Sequence, residues 1–436
     1  MLGAAVGLSG VLGLSGCYSG SSNPLASNQA AQAKNAGNFT TTVFLGDSLT
    51  AGYQSGSLLD TQQVHGWAPL VAAQANFNVI LPLIAPPGAP GVLQLVSAGP
   101  PPVIVSSPGT SSGRDNFSVQ ATDLAVPGAL LTDVLNTVPL ASPAPGQQQI
   151  NQLVLGFPGL GYGQAYSQAT FAIKANPTTI FLWIGNNDAL IADLTGSPAT
   201  MTSVADFTAQ YQALMQALTT QTSAHLVIAN IPDVTAVPYL QPAPGILAQY
   251  SAGTGVPAAV LSGLLGITTG DLVTPEGLSE IPLILGGKKK GPISDAGVLT
   301  AAETVAVQTQ VKAFNQVIAQ QAQAAGATLV DINALFGQIT TAGLAINGYT
   351  GTARFLGGFF SLDGIHPTNT GYAVVANRFI DTLDTSVGTK IADVDLPAVA
   401  AADPLWPTNL LKTTGGKVVS MPASAGRSLD WMAGTR

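Results

Sequence analysis

Short apolar segments alternate with longer amphipathic stretches along this chain, and that alternation restricts the possible folds more than any other feature. The segments are Thr42–Leu45, Thr179–Ile184, Leu226–Ile231 and Thr328–Ile332, with Thr122–Val126 as a fifth candidate. Each is bounded by polar or turn residues and has the length of a β-strand. Apolar runs of this kind indicate parallel strands that are covered on both faces.

The stretches between these strands have helical periodicity. Val204–Thr222 repeats large apolar residues at spacings of four, three and four, which places them on one helical face. Thr300–Ala325 and Thr368–Leu383 are two further predicted helices. Because strands alternate with helices, we predict an α/β fold with a mostly parallel sheet covered by helices on both faces. In such sheets, reactive side chains lie at the carboxyl ends of the strands.

A serine, and a histidine with a nearby carboxylate, supply the parts of a nucleophilic site. Ser48 follows the first strand, and Asp363 lies three positions before His366. A serine hydroxyl attacks only when a base takes its proton, and a carboxylate holds the imidazole for that task. The other two histidines, His65 in a polar turn and His225 at the start of an apolar strand, are expected to be structural. We therefore predict that Ser48, Asp363 and His366 are catalytic.

An amide side chain and a loop glycine are candidates for binding a developing oxyanion. Asn187 follows the second strand in Gly185-Asn186-Asn187-Asp188, and Gly128 follows the fifth candidate strand. A carboxamide or a backbone N–H at such a position stabilises negative charge on a tetrahedral intermediate. Taken singly, each feature has an ordinary explanation: Ser48 as a helix cap, Asn187 as part of a turn and Gly128 as a loop residue. Their order along the chain and their places at strand ends favour catalysis.

Four blocks of this chain together resemble the SGNH or GDSL hydrolase family. They are Phe44-Leu45-Gly46-Asp47-Ser48-Leu49, Gly128, Gly185-Asn186-Asn187-Asp188, and Asp363 with His366. The string Ala229-Asn230-Ile231-Pro232-Asp233 is similar to a segment of the larger, lipase-like branch, and the likeness extends over about residues 39–385. The resemblance implies a flavodoxin-like three-layer α/β/α sandwich and ester hydrolysis without a metal or cofactor. It also implies an oxyanion hole made of the Ser48 and Gly128 amides and the Asn187 side chain.

The distance along the chain between Ser48 and His366 argues for one catalytic domain rather than several in series. They are 318 positions apart (366 minus 48), yet the predicted chemistry brings them into contact. We place that domain at residues 39–387. Two long segments rich in glycine and proline, at about 82–118 and 239–298, fit no strand–helix unit. Such segments usually have a role, and these either wall an apolar substrate groove above the sheet or are additions with no part in the site.

The charge of the chain argues against nucleic acid as a partner. Only 8% of the residues are charged and the net charge is −8, whereas phosphate binding needs a basic face. The only basic run, Lys288-Lys289-Lys290, is either a solvated loop tip or a contact for an anionic surface. The mature region has no apolar run of the length that spans a membrane, and the sequence does not predict an oligomeric state.

The N-terminus resembles a bacterial lipoprotein signal. Residues 1–16 are small and apolar, and Leu14-Ser15-Gly16-Cys17 resembles the lipobox, in which the cysteine carries lipid. Cys17 is the only cysteine, so no intramolecular disulfide can form. Signal peptides usually begin with Lys or Arg, whereas the first charged side chain here is Lys34. We predict export to the bacterial cell envelope, a lipid anchor on Cys17 and a flexible tether over residues 17–38.

The sequence therefore predicts an exported, lipid-anchored carboxylic-ester hydrolase that acts through an acyl-enzyme on a small-molecule or lipid ester, with acyl-chain or aryl esters favoured by the apolar insertions. The nearest alternative is an acyltransferase or carbohydrate deacetylase with the same triad. An alternative of another class is a surface-anchored binding protein with a vestigial site. No metal or cofactor is expected, because three scattered histidines and one cysteine give no ligand cluster. Residues 388–436 form a tail of unknown role that packs on the domain or is partly disordered.

Overall fold

A computed structural model of the chain describes residues 30–99, 102–414 and 421–434. At its centre is a parallel sheet of Thr42–Gly46 (β1), Thr179–Trp183 (β2), His225–Ala229 (β3) and Thr328–Val330 (β4), which lie in the order β1-β2-β3-β4. Phe44 pairs with Phe181, and Phe181 pairs with Val227. All four predicted strands are present: three begin where predicted, β3 begins one residue earlier, and each ends within two residues of the predicted position.

A helix cap ends β4 earlier than predicted. Val330 is the last strand residue, and Asp331 Oδ1 accepts a hydrogen bond from Ala334 N at 2.9 Å as the N-cap of the next helix. A capping carboxylate satisfies an N–H group that has no partner inside the helix. The prediction that this strand continues to Ile332 is therefore wrong, because Asp331 caps the next helix and Ile332 is already the first residue of that helix.

The fifth candidate segment lies along β1 without completing a regular strand. Phe44 N donates to Thr122 O and Leu124 N donates to Phe44 O, both at 2.9 Å, and Val126 N donates to Gly46 O at 3.1 Å. The pairing is parallel and is confined to an isolated bridge. These bonds cover the edge of β1 and bring the loop after Val126 to the carboxyl end of that strand.

Helices cover both faces of the sheet. The main ones are Trp67–Gln74 (α1), Asn186–Thr195 (α2), Val204–Gln221 (α3), Ala301–Ala325 (α4), Ile332–Ala342 (α5) and Asn369–Ser386 (α6). On one face α1 and α6 pack together, and the rings of Trp67 and Phe379 stack with centroids 3.9 Å apart. On the other face α3 and α4 pack together, and Phe207 and Phe314 stack at 4.0 Å. Because alternate strand residues point to opposite faces, each strand joins both cores, and the predicted three-layer α/β/α fold is confirmed.

Shorter elements surround this sandwich. The other helices are Asp60–Gln63, Leu131–Asn136, Gln147–Leu155, Gln168–Ala175, Ala243–Thr254, Ala258–Leu265, Pro275–Leu285, Leu396–Ala402, Pro407–Thr414, Ala423–Gly426 and Asp430–Gly434, with 3-10 turns at Gly159–Tyr162, Pro198–Thr200, Val234–Ala236, Asp295–Gly297 and Arg427–Leu429. The other strands are the hairpins Leu93–Ser97 with Val103–Ser106 and Leu344–Ile346 with Tyr349–Gly351, and the small antiparallel sheet of Gln241–Pro242, Leu272–Val273 and Val298–Leu299.

The two insertions are folded units rather than structureless loops. Residues 82–118 contain an antiparallel hairpin. Residues 239–298 contain three helices and the small three-stranded sheet, and they enclose an apolar cluster of their own that includes Leu261, Leu265 and Ile281. An internal core of this kind lets an insertion hold its shape independently of the central sheet.

Residues 30–38, predicted to be part of a flexible tether, are docked at the end of α3. Gln32 Nε2 donates to Thr219 O at 3.2 Å, and Asn35 Nδ2 donates to Ser223 O at 2.7 Å. The last carbonyls of a helix have no partner within it, so side-chain amides bind them well. The tether prediction is wrong for these residues. The predicted signal, the lipidated Cys17 and the rest of the tether lie outside the described residues.

The described part of the C-terminal tail packs on the domain. Trp406 is 1% exposed, and its ring meets the edge of Phe359 with centroids 5.7 Å apart. Met421, Ala425 and Leu429 are buried in the main core. Of the two alternatives for the tail, packing holds for the part that the structure describes. No helix within the described residues has the length and apolar character needed to cross a membrane.

Candidate active site

Ser48 follows β1 in a turn that requires a glycine before it. A Cβ at Gly46 would lie 2.5 Å from the Trp183 carbonyl of β2 and 2.6 Å from Thr50 Oγ1, which is closer than real Cβ atoms approach. The Gln168 side chain binds both backbone groups of Gly46, accepting from its N at 2.9 Å and donating to its O at 3.0 Å. The turn is thereby fixed to the sheet, and Ser48 is 3% exposed.

A chain of hydrogen bonds joins Ser48 to residues far along the sequence. His366 Nε2 lies 2.8 Å from Ser48 Oγ, and His366 Nδ1 lies 3.0 Å from Asp363 Oδ2. Asp363 and His366 are fully buried. When Nδ1 donates to the carboxylate, Nε2 is left as the acceptor for the serine proton. The structure therefore brings together the three side chains that the sequence indicates.

Backbone amides hold the Asp363 carboxylate in place. Its Oδ1 accepts from Ile365 N and His366 N, each at 2.9 Å, and its Oδ2 accepts from Gly56 N at 2.7 Å. Burial alone would raise the pKa of Asp363, but the charge of His366 and hydrogen bonds from His366 and Ile365 hold it below its ordinary value. The carboxylate stays ionised near neutral pH, where it stabilises a neighbouring imidazolium.

Asn186 ties the start of α2 to the turn that carries Ser48. Its Nδ2 donates to Asp47 Oδ2 at 2.9 Å, and Asp47 Oδ1 accepts from Leu49 N at 3.0 Å. Burial raises the pKa of Asp47 to about 6, although these two hydrogen bonds act in the opposite direction. The residue before the serine is therefore a hydrogen-bonded anchor for the turn.

A hydrogen bond from Asn187 to the residue after Gly128 brings Asn187 close to that glycine. Asn187 Nδ2 donates to Ala129 O at 2.9 Å, and Gly128 directly precedes Ala129. Gly128 has a φ of 77°, and a Cβ there would collide with the side-chain amide of Gln147, which donates to Pro127 O at 2.9 Å. A residue with a side chain would be strained at this position. Asn187 lines the pocket beside Ser48, whereas Gly128 does not.

An apolar pocket opens beside Ser48. Its walls come from α5, α6, the loop 359–367 and the segment 232–237, and Phe336 and Ile339 of α5 are among its lining residues. Its polar lining is confined to Ser48, Asn186 and Asn187. Pockets of this composition bind apolar groups and orient them through the few polar atoms that converge on one side.

Neither insertion contributes to this pocket. None of its lining residues falls within 82–118 or 239–298, in the part of the chain that the structure describes. The interpretation that the insertions wall the substrate groove is therefore wrong for the pocket beside Ser48. The walls belong instead to α5 and α6, which are helices of the central sandwich, and to the segments 232–237 and 359–367.

Tyr53 packs on His366, although no motif indicates it. The centroids of the two rings are 4.6 Å apart, with an angle of 53° between the planes. Tyr53 Oη donates to Gly56 O at 2.5 Å, and Gly56 N in turn donates to Asp363. Burial raises the pKa of Tyr53 well above its ordinary value, so the phenol stays a neutral donor. Tyr53 thereby supports both the imidazole and the backbone that holds the carboxylate.

Residues 421–434, here named the C-terminal strap, lie against the loops that carry these groups. A Cβ at Gly364, between the predicted acid and base, would lie 2.5 Å from Met421 Sδ. The ring of Trp431 lies 6.4 Å from that of Tyr53. The last helix of the strap contacts α2, which begins with the two asparagines. Sequence patterns do not indicate this contribution, because the strap has no motif and weak periodicity.

The two other histidines lie apart from this cluster. His225 Nε2 lies 2.9 Å from Thr328 Oγ1 across β3 and β4, and His65 is exposed. These positions fit the structural roles expected of them. Within the described residues there is no group of three or more His, Cys, Asp or Glu side chains that could hold a metal ion.

Comparison with known proteins places most of the chain in one family. A family model described as GDSL-like Lipase/Acylhydrolase matches residues 42–379. No curated protein sequence matches the chain.

Several solved hydrolase structures are similar to the chain at low scores. A mutant acetyl-xylooligosaccharide esterase from Geobacillus has a TM-score of 0.37 and 12% identity, over 83% of this chain and 100% of that chain. Phospholipase A1 from Streptomyces albidoflavus has a TM-score of 0.33 and 14% identity, over 79% and 98%. An extracellular lipase from Streptomyces rimosus has a TM-score of 0.33 and 13% identity, over 80% and 99%. Likeness at this level does not bear on substrate or mechanism.

Proposed function

The chain belongs to the GDSL-like lipase/acylhydrolase family and is an ester-bond hydrolase, and on that premise we propose that it cleaves carboxylic esters through an acyl-enzyme on Ser48. The observation that carries the proposal is the hydrogen-bond chain from Ser48 to His366 at 2.8 Å and from His366 to Asp363 at 3.0 Å. This arrangement meets the geometric requirement for a serine nucleophile with a general base and an orienting carboxylate.

Acylation begins with attack of Ser48 Oγ on the ester carbonyl. The hydroxyl proton passes to His366 Nε2, and Asp363 stabilises the imidazolium through Nδ1. The tetrahedral intermediate collapses as the bond to the alcohol oxygen breaks, and the leaving alcohol takes the proton from His366. The product of this half-reaction is an ester between the acyl group and Ser48.

Deacylation repeats these steps with water in place of the serine. His366 takes a proton from water as the water oxygen attacks the acyl carbonyl, and it returns that proton to Ser48 Oγ when the acyl–serine bond breaks. The carboxylic acid leaves and the free serine is restored. No group outside the chain other than water is needed to balance either half-reaction.

We assign the oxyanion to three donors: the backbone amides of Ser48 and Gly128 and the side-chain amide of Asn187. The assignment is supported for Asn187 by its place in the pocket lining next to Ser48. It is supported for Gly128 by the hydrogen bond from Asn187 to the adjoining residue, Ala129. The Asn187 Nδ2 group carries two hydrogens, so it can keep its bond to Ala129 O and donate the second hydrogen to the oxyanion with little reorganisation.

The apolar pocket supports an ester with an apolar acyl or aryl group as the substrate. Apart from Ser48 and the two asparagines, the lining consists of aliphatic and aromatic side chains with glycine and proline. Burial of each additional methylene group in such surroundings contributes about 0.8 kcal/mol. A sugar acetate, whose acyl group is a single methyl, gains little from a pocket of this kind.

The experiment is active-site labelling combined with a substrate panel. The folded chain should react with a fluorophosphonate probe and hydrolyse nitrophenyl esters of increasing acyl length better than sugar acetates. Ser48→Ala should lose both activities, whereas Ser167→Ala, at an equally buried serine that caps another helix, should keep both. Labelling that persists in Ser48→Ala would remove Ser48 from its role. An unlabelled folded chain would favour a binding protein, and transfer of acyl groups to a sugar acceptor would favour an acyltransferase.

We also propose that the protein is exported and anchored by lipid on Cys17. The support is the string Leu14-Ser15-Gly16-Cys17 after an apolar segment, with Cys17 as the only cysteine of the chain. Labelled fatty acid should be incorporated into the wild-type protein in bacterial cells and not into Cys17→Ser, which should move from the membrane fraction to the soluble fraction. Equal incorporation in the two proteins would refute the anchor.

A further inference from the structure

One end of the 239–298 insertion combines exposed aliphatic side chains with a cluster of lysines. Val260, Leu264 and Leu283 are 57%, 44% and 42% exposed. Lys288-Lys289-Lys290 follows, in the loop after the helix Pro275–Leu285. These six residues are named the lysine tip.

Backbone contacts hold the parts of the lysine tip together. Lys288 N and Lys289 N donate to Leu283 O at 2.8 and 3.1 Å, and Ile293 N donates to Leu265 O at 3.0 Å. The loop is thus bound to the carboxyl ends of both helices that carry the exposed aliphatic residues. Val260 and Leu264 are four positions apart on one helix and so lie on the same face.

Only one of the three lysines of the tip forms an ion pair among the described residues. Lys289 Nζ lies 2.5 Å from Glu280 Oε1, so this lysine is engaged in an ion pair. Lys288 and Lys290 are exposed, and no ion pair among the described residues involves them. The acidic side chains on the adjoining helix are themselves paired, Glu280 with Lys289 and Glu276 with Arg427 at 3.9 Å. The tip therefore presents positive charge next to apolar surface.

We propose that the lysine tip docks the protein on an anionic lipid surface. Apolar side chains enter the boundary between headgroups and acyl chains, while lysines around them contact anionic headgroups. The long aliphatic stem of lysine lets its charge remain in water while the stem covers apolar surface. Charge complementarity favours an anionic lipid surface as the partner, because the tip holds the only basic run in a chain whose net charge is −8.

A nucleic acid is a poorer partner for the same surface. Single strands bind where basic residues are interleaved with aromatic rings on which bases stack. The tip presents valine and leucine instead, and its side chains include no aromatic ring. Docking on lipid does not depend on the ester chemistry of Ser48, because none of the six residues lines the pocket beside that serine.

The test measures binding of the full chain to lipid vesicles. Every protein tested carries Cys17→Ser, so that a lipid anchor on Cys17 cannot contribute to binding. Vesicles of phosphatidylcholine alone are compared with vesicles that also contain phosphatidylglycerol, at low and high salt. The chain should bind the anionic vesicles, and salt should weaken this binding. Each lysine near such a surface contributes roughly fivefold in affinity, so Lys288→Glu with Lys290→Glu should weaken binding by at least about 25-fold.

The control variant is Lys312→Glu with Lys390→Glu, which makes the same charge change at two exposed lysines outside the tip. It should bind almost as well as the parent chain, and both variants should keep full activity on a soluble nitrophenyl ester, which shows that they are folded. Leu264→Ser with Leu283→Ser should weaken binding without changing its salt dependence. Equal losses in the tip and control variants, equal binding to both kinds of vesicle, or no binding to either would each overturn the proposal.

Discussion

On one side of Ser48, the side chains of His366 and Asp363 form a chain of hydrogen bonds of 2.8 and 3.0 Å. On the other side, aliphatic and aromatic side chains make up most of the lining of a pocket. The polar side depends on position, because a hydrogen bond weakens steeply when its atoms move apart or its angle bends. The pocket side depends on volume and tolerates changes of shape. Substitutions on the polar side should therefore reduce the turnover of every ester, and substitutions on the pocket side should change which ester is preferred.

The largest effect is expected from Asp363→Asn. The asparagine keeps the size of the side chain but places an amide donor opposite His366 Nδ1, which favours the wrong tautomer of the imidazole. We expect kcat to fall about 10⁴-fold for both short and long acyl esters, and steady-state kinetics at neutral pH will measure it. Asp331→Asn is the matched control and should keep activity, because Asp331 does not line the pocket and asparagine also caps a helix. A loss restricted to one acyl length would contradict the proposed division between the two sides.

A smaller effect is expected from Asn187→Ala. Removal of one oxyanion donor costs roughly 2.7–4 kcal/mol in other enzymes, which corresponds to about 10²–10³-fold in kcat. Because the donor acts in the transition state, KM should change little. Asn186→Ala removes the neighbouring amide, which binds Asp47 instead, and it should have a weaker effect. If Asn186→Ala were the more damaging substitution, the assignment of Asn187 to the oxyanion would be wrong.

The C-terminal strap supports the polar side, because it packs against Gly364 and Tyr53. Trp431→Ala removes the ring that packs near Tyr53, and small displacements of reacting groups cost up to about 100-fold in rate. We expect kcat to fall about 10- to 100-fold with KM unchanged, since no strap residue lines the pocket among those described. Trp431→Phe should restore most of the activity, and Arg427→Gln, which breaks only an exposed ion pair of 3.9 Å, should have no effect. A rise in KM with constant kcat would show that the strap acts on substrate binding instead.

Ile339→Ala tests the pocket side directly. Truncation of this lining residue of α5 enlarges the pocket. Longer acyl esters should gain about fourfold in kcat/KM for each methylene group that is newly buried, while the shortest esters are little changed. The measurement is kcat/KM across a series of nitrophenyl esters. Phe207→Leu, at a buried core position that does not line the pocket, should leave the order of preference unchanged.

Asp123→Asn should affect stability and leave activity almost unchanged. Asp123 is fully buried beside β1, and burial raises its pKa to about 8 against the opposing effect of a hydrogen bond from Ala125 N. The folded state therefore keeps the proton between the ordinary carboxyl pKa and about 8, and the unfolded state does not. Stability is greatest at the acid end of this interval and falls as pH rises toward about 8. Urea midpoints across that interval should decline less in the variant, and an equal decline would contradict the raised pKa.

The polar side could be predicted from the sequence because its signals are local. Ser48 and Asn187 each follow a strand, and parallel strands end on the same edge of the sheet, so the two side chains were expected to meet. Asp363 and His366 are close in sequence, and their mutual hydrogen bond needs only a turn. Short strings therefore carry enough information to place these groups.

The pocket side and the strap could not be predicted in the same way. Phe336 and Ile339 belong to the periodic apolar pattern of α5, and periodicity does not distinguish a residue that faces the core from one that faces a pocket. The insertions are rich in glycine and proline, and their sequence left open whether they wall a groove or are additions outside the site. The longer one, residues 239–298, folds around a core of its own. The contact of Trp431 with Tyr53 depends on tertiary docking of a segment with weak periodicity, and a single sequence carries no signal for it.

The position of the strap after every reacting residue has a consequence for biosynthesis. A chain that is still being translated contains Ser48, Asp363 and His366 before it contains residues 421–434. Until that segment docks, Gly364 lacks its cover from Met421 and Tyr53 lacks its neighbour Trp431. We expect the nascent chain to hydrolyse esters about 10- to 100-fold more slowly than the finished protein until the strap docks.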